Sequence, residues 1–201
     1  ICTLSWDRCN MEDLDDCRVE DLRHEGELLA KTAFSPEKVL LSKGLEIMLD
    51  AGDDKRLATI SSEEGLSGFL VATDRLQAQF LVMSPGLYSE EHVHDYGFII
   101  YTMEGRWVLC SQGRRCLMEP GSVCGISAGV STRMEAPFES PARLLFLLTG
   151  GVEVQRKYEE YMRKMGEDQV SKRRDQMRRI SDLSPSHPAR VFARSLGLPD
   201  L

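Results

Sequence analysis

The chain predicts a mainly β fold, an antiparallel sandwich or barrel with α-helical extensions at both ends. Three observations carry this expectation. From about Leu57 onward, short runs rich in β-branched and aromatic residues follow one another: GFLVAT, AQFLVM, YGFIIYTM, RWVLCS, RRCLM, SVCGIS, VSTRMEA and ARLLFLL. Breaks of Gly, Pro, Ser and Glu separate these runs with no helical stretch between them, the spacing of a sandwich or barrel. On either side of this block the apolar period is helical. The chain accordingly divides into an acidic N-terminal helical extension (1–56), a β domain (57–150) and a C-terminal helical extension (151–201).

The first segment, MEDLDDCRVEDLRHEGELLAK, crowds Asp and Glu ahead of Leu22, Leu28 and Leu29, as a helix start or a solvated arm does. A second helix is marked by Ser35 as a cap, Pro36 at the first helical position and Glu37 near the positive end. Val39, Leu40, Ile47 and Met48 form its apolar stripe before Gly52. After Gly150-Gly151 the helical period returns, with Val154, Tyr158, Tyr161, Met162 and Met165 on one face until Gly166. A basic stretch, SKRRDQMRRI, reads as a solvated helix face or a partner for the acidic arm. Pro185 and Pro188 then precede a short last helix in ARVFARSLG.

The chain has 201 residues and a net charge of -7, enough for one well-buried domain with additions. That charge argues against nucleic acid and anionic membranes, which need a positive face. The basic stretch from Lys172 to Arg179 is interrupted by Asp175 and has no interleaved aromatics for base stacking. No apolar run is long enough to span a bilayer. The opening residues lack a secretory pattern, and Met11 is a candidate start. The six cysteines, Cys2, Cys9, Cys17, Cys110, Cys116 and Cys124, form no C-x-x-C pair, which suits reduced thiols in a cytoplasmic protein. Cys110 and Cys116 flank a turn expected at Gln112-Gly113 and read as two small strand residues.

The chemistry concentrates between Gly86 and Ala136. His92 and His94 are two apart, so on a strand both rings point to one face, here the interior, and form a chelating pair. Gly86, Gly105, Gly121 and Gly129 fall where strands must reverse. By alternation Ile100, Thr102 and Met134 also face inward. They would line an apolar pocket with a few polar handles, suited to a small organic ligand, or else a filled core.

The same stretch resembles the two-part signature of the cupin superfamily, G-x5-H-x-H-x3-4-E-x6-G followed by G-x5-P-x-G-x2-H-x3-N. Gly86, His92, His94 and Gly105 match the first part; Gly121, after Pro120, and Gly129 match the second. The resemblance implies a jelly-roll β-barrel and homodimers. In typical members it implies a divalent transition metal (Fe, Mn, Ni or Zn) held by three histidines and a carboxylate. Here Phe98 stands at the glutamate ligand and Thr132 at the third histidine, with Ser127 and Ala136 at the proline and asparagine. Glu90 shares parity with the histidine pair and is the local candidate for a third ligand. Tyr96, beside the histidines, is a candidate general acid or base, or a residue closing the barrel mouth. Two functions follow: a barrel binding a small organic ligand with a reduced or lost metal centre, or a metal-dependent dioxygenase, lyase or isomerase of a small polar molecule using His92 and His94.

Overall fold

The computed structural model describes residues 38–49, 51–52, 59–61, 64–149 and 177–199. In chain order the strands are β1 (Lys38–Ser42), β2 (Leu45–Met48), β3 (Thr59–Ser61), β4 (Gly65–Ala72), β5 (Leu76–Met83), β6 (Leu87–Ser89), β7 (His92–Val93), β8 (Phe98–Glu104), β9 (Trp107–Ser111), β10 (Arg114–Met118), β11 (Val123–Ile126), β12 (Ser131–Glu135), β13 (Ala142–Thr149) and β14 (Met177–Arg179). A 3-10 turn (Ile180–Asp182) and helix α1 (Pro188–Ser195) follow. The helices expected over 11–31 and 154–166 lie outside the described residues. Among the described residues no helix is long and apolar enough to cross a membrane.

Apart from the two-stranded β1-β2 sheet, the strands form two antiparallel sheets, β11-β8-β13-β5-β4-β3 and β10-β9-β12-β6-β14, with β7 paired to β12. The inward faces meet in one core that draws Leu81, Phe98, Ile100 and Leu144 from the first sheet and Leu87, Trp107 and Met118 from the second. Period-two alternation produces this directly: on β8, Phe98, Ile100 and Thr102 are buried while Ile99, Tyr101 and Met103 are exposed. Inside the core the Trp107 indole N–H donates to Thr102 Oγ1 at 2.9 Å, so the polar atoms of two fully buried side chains satisfy each other across the sheets.

Three expectations are corrected. The sheets do not close into a barrel. Among the described residues no strand pairs with members of both sheets; β6 and β7, which lead from one sheet to the other and back, have three and two residues and pair only within the second. The helix expected over Ser35 to Gly52 is, where described, the β1–β2 hairpin, in which Val39 pairs with Ile47 and Lys38 with Met48. Its apolar residues fit either period, and Gly44, at φ 83°, supplies the turn that a helix interior forbids. The end of the basic stretch is strand β14 rather than a helix face. It satisfies the free edge of β6 by pairing Arg178 with Tyr88 and Arg179 with Leu87, and Arg179 donates to the Pro85 carbonyl at 3.0 Å.

The last helix forms where expected and covers the outer face of the second sheet. Ala189 packs with Tyr88, Ile180 and Leu183, and Phe192 and Leu196 pack against Val108, Cys110 and Phe138. Beneath it Glu135, 1% exposed, accepts from Arg115 twice at 3.1 Å and from Arg133 at 3.0 Å, so the buried carboxylate is fully paired. His187 caps α1 by accepting the Ala189 N–H on Nδ1 at 3.2 Å, and its ring stands edge-on to Tyr88 at 5.2 Å. Cys110 faces this layer and Cys116 the solvent; both are free thiols, and burial pushes Cys110 up to about 12, which keeps it protonated. The turn between β9 and β10 is the two-residue Gln112-Gly113 loop expected from the sequence.

Gly105 joins β8 to β9 at φ 72°, and a Cβ there would lie 2.3 Å from the Pro141 carbonyl oxygen and 2.8 Å from Ala142 Cα. Gly113 has a similar φ of 76° with nothing within 4 Å. In chemical denaturation, Gly105→Ala is expected to lose about 3 kcal/mol or more and Gly113→Ala about 1 kcal/mol, the difference isolating the backbone approach. A second expectation concerns pH. Burial, then the positive charge of Arg133, lowers the His187 pKa in the fold, with Arg115, Glu135 and Glu90 also near. The unfolded chain therefore takes up the proton first as pH falls below about 6.5, and stability present above that value is lost as pH drops through the folded value. Thermal unfolding from pH 8 to pH 5 should show this loss. His187→Asn, which caps without titrating, should flatten it.

Candidate functional site

Between the sheets lies a cavity of about 350 Å³. One wall is built by the chain from β7 to β8, where every second residue turns inward. His92 sits on β7, held in place by pairing with Thr132 on β12. His94 follows in the loop, where its carbonyl accepts the Gly129 N–H at 2.9 Å. Tyr96, 42% exposed, stands at the mouth, and Phe98 and Ile100 are buried below it.

These residues bring their rings into one aromatic wall. The His92 and His94 centroids are 4.7 Å apart at 72°, His94 meets Phe98 edge-on at 5.0 Å, and Tyr96 lies 5.4 Å from His94. Phe146, from β13, extends the wall 6.1 Å beyond Phe98. Such tilted and edge-to-face spacings are favourable for aromatic pairs. His92 Nδ1 lies 2.9 Å from the Glu90 carbonyl oxygen. A carbonyl only accepts, so Nδ1 carries the hydrogen, and the lone pair of the neutral ring lies on Nε2.

Of the residues singled out from the sequence, His92, His94, Tyr96, Phe98, Ile100, Thr132 and Met134 all line this cavity. Thr102 does not: it lies in the core with its hydroxyl committed to Trp107. Glu90 is also elsewhere, its carboxylate 3.5 Å from the Tyr88 hydroxyl and 3.9 Å from Arg178. The parity argument for Glu90 assumed one continuous strand, whereas β6 ends at Ser89 and β7 begins at His92, and the break resets the alternation.

Several lining residues come from strands that the motif does not touch: Glu64 and Ser67 at β4, Gln79 on β5, Leu109 on β9 and Phe146. Gln79 had a local signal, since it shares the inward parity of Leu81 and Met83. For Glu64 and Ser67 no local pattern could have said so, because only the stacking of the sheets brings them opposite the histidines.

The donor set can be tested against the metal that cupins carry. A catalytic site of that kind uses at least three protein ligands around open positions. Among the described residues no three His, Cys, Asp or Glu side chains converge, and Phe98 fills the position of the carboxylate. Two neutral imidazoles leave a dication's charge uncompensated beside an apolar wall. This set does not fit a resident metal of the usual kind.

Comparison with known proteins places this geometry. The family model described as the AraC-like ligand-binding domain matches residues 80–181, just over half of the chain. Among solved structures, the chain is similar to the polyketide cyclase RemF from Streptomyces resistomycificus, at 20% identity over 51% of this chain and 80% of that one (TM-score 0.45). It is similar to a cupin 2 conserved barrel domain protein from Salinispora arenicola at 21% identity, over 56% of this chain and 93% of the other (TM-score 0.42). It is also similar to the EutQ protein of Clostridium difficile, at 13% identity over 59% and 98% (TM-score 0.46). No curated protein matches the chain. With the match across both sheets, from β5 to the 3-10 turn, the chain belongs to the AraC-like ligand-binding domain family, a cupin family.

Proposed function

We propose that this protein binds a small organic molecule in the cavity between its sheets, with a metal centre reduced or lost. The observation that carries this reading is the cavity itself, whose motif-derived wall has aromatic rings and a hydroxyl where ligands for a metal would stand. Pockets of this size, mostly apolar with a few placed polar groups, are those that hold small ligands. In this reading Phe98, Ile100 and Met134 supply apolar contact, and Thr132 and the histidines orient the ligand. Thr102 acts from behind, through its bond to Trp107. The protein works in the cytoplasm, and the β domain over 57–150 supplies most of the site.

A second reading is a metal-dependent dioxygenase, lyase or isomerase of a small polar molecule. One observation favours it: the backbone carbonyl that holds His92 Nδ1 aims Nε2 as such carbonyls aim metal-ligating histidines. Substrate oxygens, with Glu90 or Tyr96 after a local shift, would have to complete the shell. The exposed strip of Ile99, Tyr101, Met103, Val123 and Leu147 on the outer face of the first sheet supports a homodimer.

Metal analysis of protein purified without chelators, beside a His92→Ala/His94→Ala double variant, separates the two readings. The binding reading expects far less than one equivalent in both. Near one equivalent, lost in the double variant, would give the site to the enzyme. Light scattering at micromolar concentration is expected to give twice the chain mass of 22.7 kDa, and a monomer there removes the dimer.

A further inference from the structure

Resting on the cavity as a ligand site, we infer that its ligand is a small aromatic ring carrying hydrogen-bond donors, neutral or cationic: a phenol or an arylamine, and not a carboxylate or phosphate. What the ligand must bring follows from which polar groups facing the cavity are already committed. His92 donates from Nδ1 to Glu90, leaving Nε2 as an acceptor. Glu64, in the bend just before β4, also lines the cavity, and its carboxylate makes no hydrogen bond or ion pair among the described residues. Among the described residues Arg133 is the only Lys or Arg that lines the cavity. Its Nε is bound to Glu135 at 3.0 Å, its Nη1 lies 4.0 Å from Glu91, and its guanidinium stacks over Tyr88.

His94 and Tyr96 have partners of their own, so among the described residues the uncommitted groups are an imidazole lone pair, a carboxylate, the hydroxyls of Thr132 and Ser67 and the Gln79 amide. The first two only accept, and the other three can accept as well as donate. A ligand that brings donors satisfies this set. One that brings a negative charge meets Glu64 with no free cation to offset it, at short range and beside apolar surface. The rest of the ligand is set by the wall of His94, Tyr96, Phe98 and Phe146, whose flat faces and edges suit an aromatic ring better than a polyhydroxylated one. Size agrees: a dry cavity of about 150 Å³ accepts benzene, so 350 Å³ holds one substituted ring or two fused ones.

The test uses an isosteric series on the full chain: 4-methylphenol, 4-methylaniline, toluene and 4-methylbenzoate, with glucose as the polyhydroxylated arm. Affinity is read by NMR titration to millimolar concentration, with the Met134 methyl reporting location. The phenol and the aniline are expected to bind ~10-fold or more tightly than the benzoate and more tightly than toluene. His92→Phe should weaken the phenol by ~10-fold while leaving toluene unchanged, His92→Gln should restore part of the loss, and Glu64→Gln should narrow the gap to the benzoate. If the benzoate or glucose binds as well as the phenol and shifts Met134, the ligand class is wrong and the cavity stands. A phenol no tighter than toluene likewise overturns the class. If no probe moves Met134, the cavity as a ligand site fails with it.

Discussion

Alternation along residues 92 to 102 governs the molecule. On β7 and β8 extended backbone sends successive side chains to opposite faces, and the loop between them keeps the same side, so His92, His94, Tyr96, Phe98, Ile100 and Thr102 all turn toward the space between the sheets. Any shift of one residue would exchange this set for Val93, Asp95, Ile99 and Tyr101, burying a carboxylate and exposing the aromatic wall. The register is held from three sides. Thr132 pairs with His92, the ladder from β11 to β8 to β13 fixes Phe98 and Ile100, and the tight turn at Gly105 sets where Trp107 enters the core to reach Thr102.

The two faces of the second sheet divide structure from chemistry. Its inner face contributes Leu109, Thr132 and Met134 to the cavity. Its outer face carries the buried Arg115–Glu135–Arg133 cluster, roofed by α1 and the 3-10 turn. Arg133 belongs to both settings: it borders the cavity, yet its charge is spent on Glu135 and Glu91. The carboxylates that neutralise it keep the cavity without a free cation. A packing requirement on one face of a strand thus decides the electrostatics on the other.

The loss of cupin ligands is also a change of solvent. A carboxylate and an imidazole at the positions of Phe98 and Thr132 would bring polar groups that demand a cation or water. A benzyl group and a hydroxyl in their place leave a wall whose contacts are ring to ring. The remaining histidines then act as hydrogen-bonding groups on an aromatic surface. His92 is held in one tautomer and one orientation by the Glu90 carbonyl of its own chain.

Much of the fold was legible because its causes are local. Alternating runs, the glycines between them and Pro188 at the head of an amphipathic octet specify strands, turns and the last helix through neighbours a few residues away. His92, His94, Ile100 and Met134 followed from parity, and Phe98 and Thr132 from their places in the motif. Where causes are not local the sequence was silent or misleading. Val39 to Met48 suits either period, and the hairpin won where Glu46 could reach the Ala72 N–H across the fold. Glu90 lost its parity at a break between β6 and β7. Glu64, Ser67 and Phe146 became wall residues only when the sheets stacked. The sequence by itself determined which side chains could face inward, since backbone geometry fixes that residue by residue. The tertiary structure alone decided which of them meet and which charges are already paired, because those depend on contacts between strands far apart in the chain.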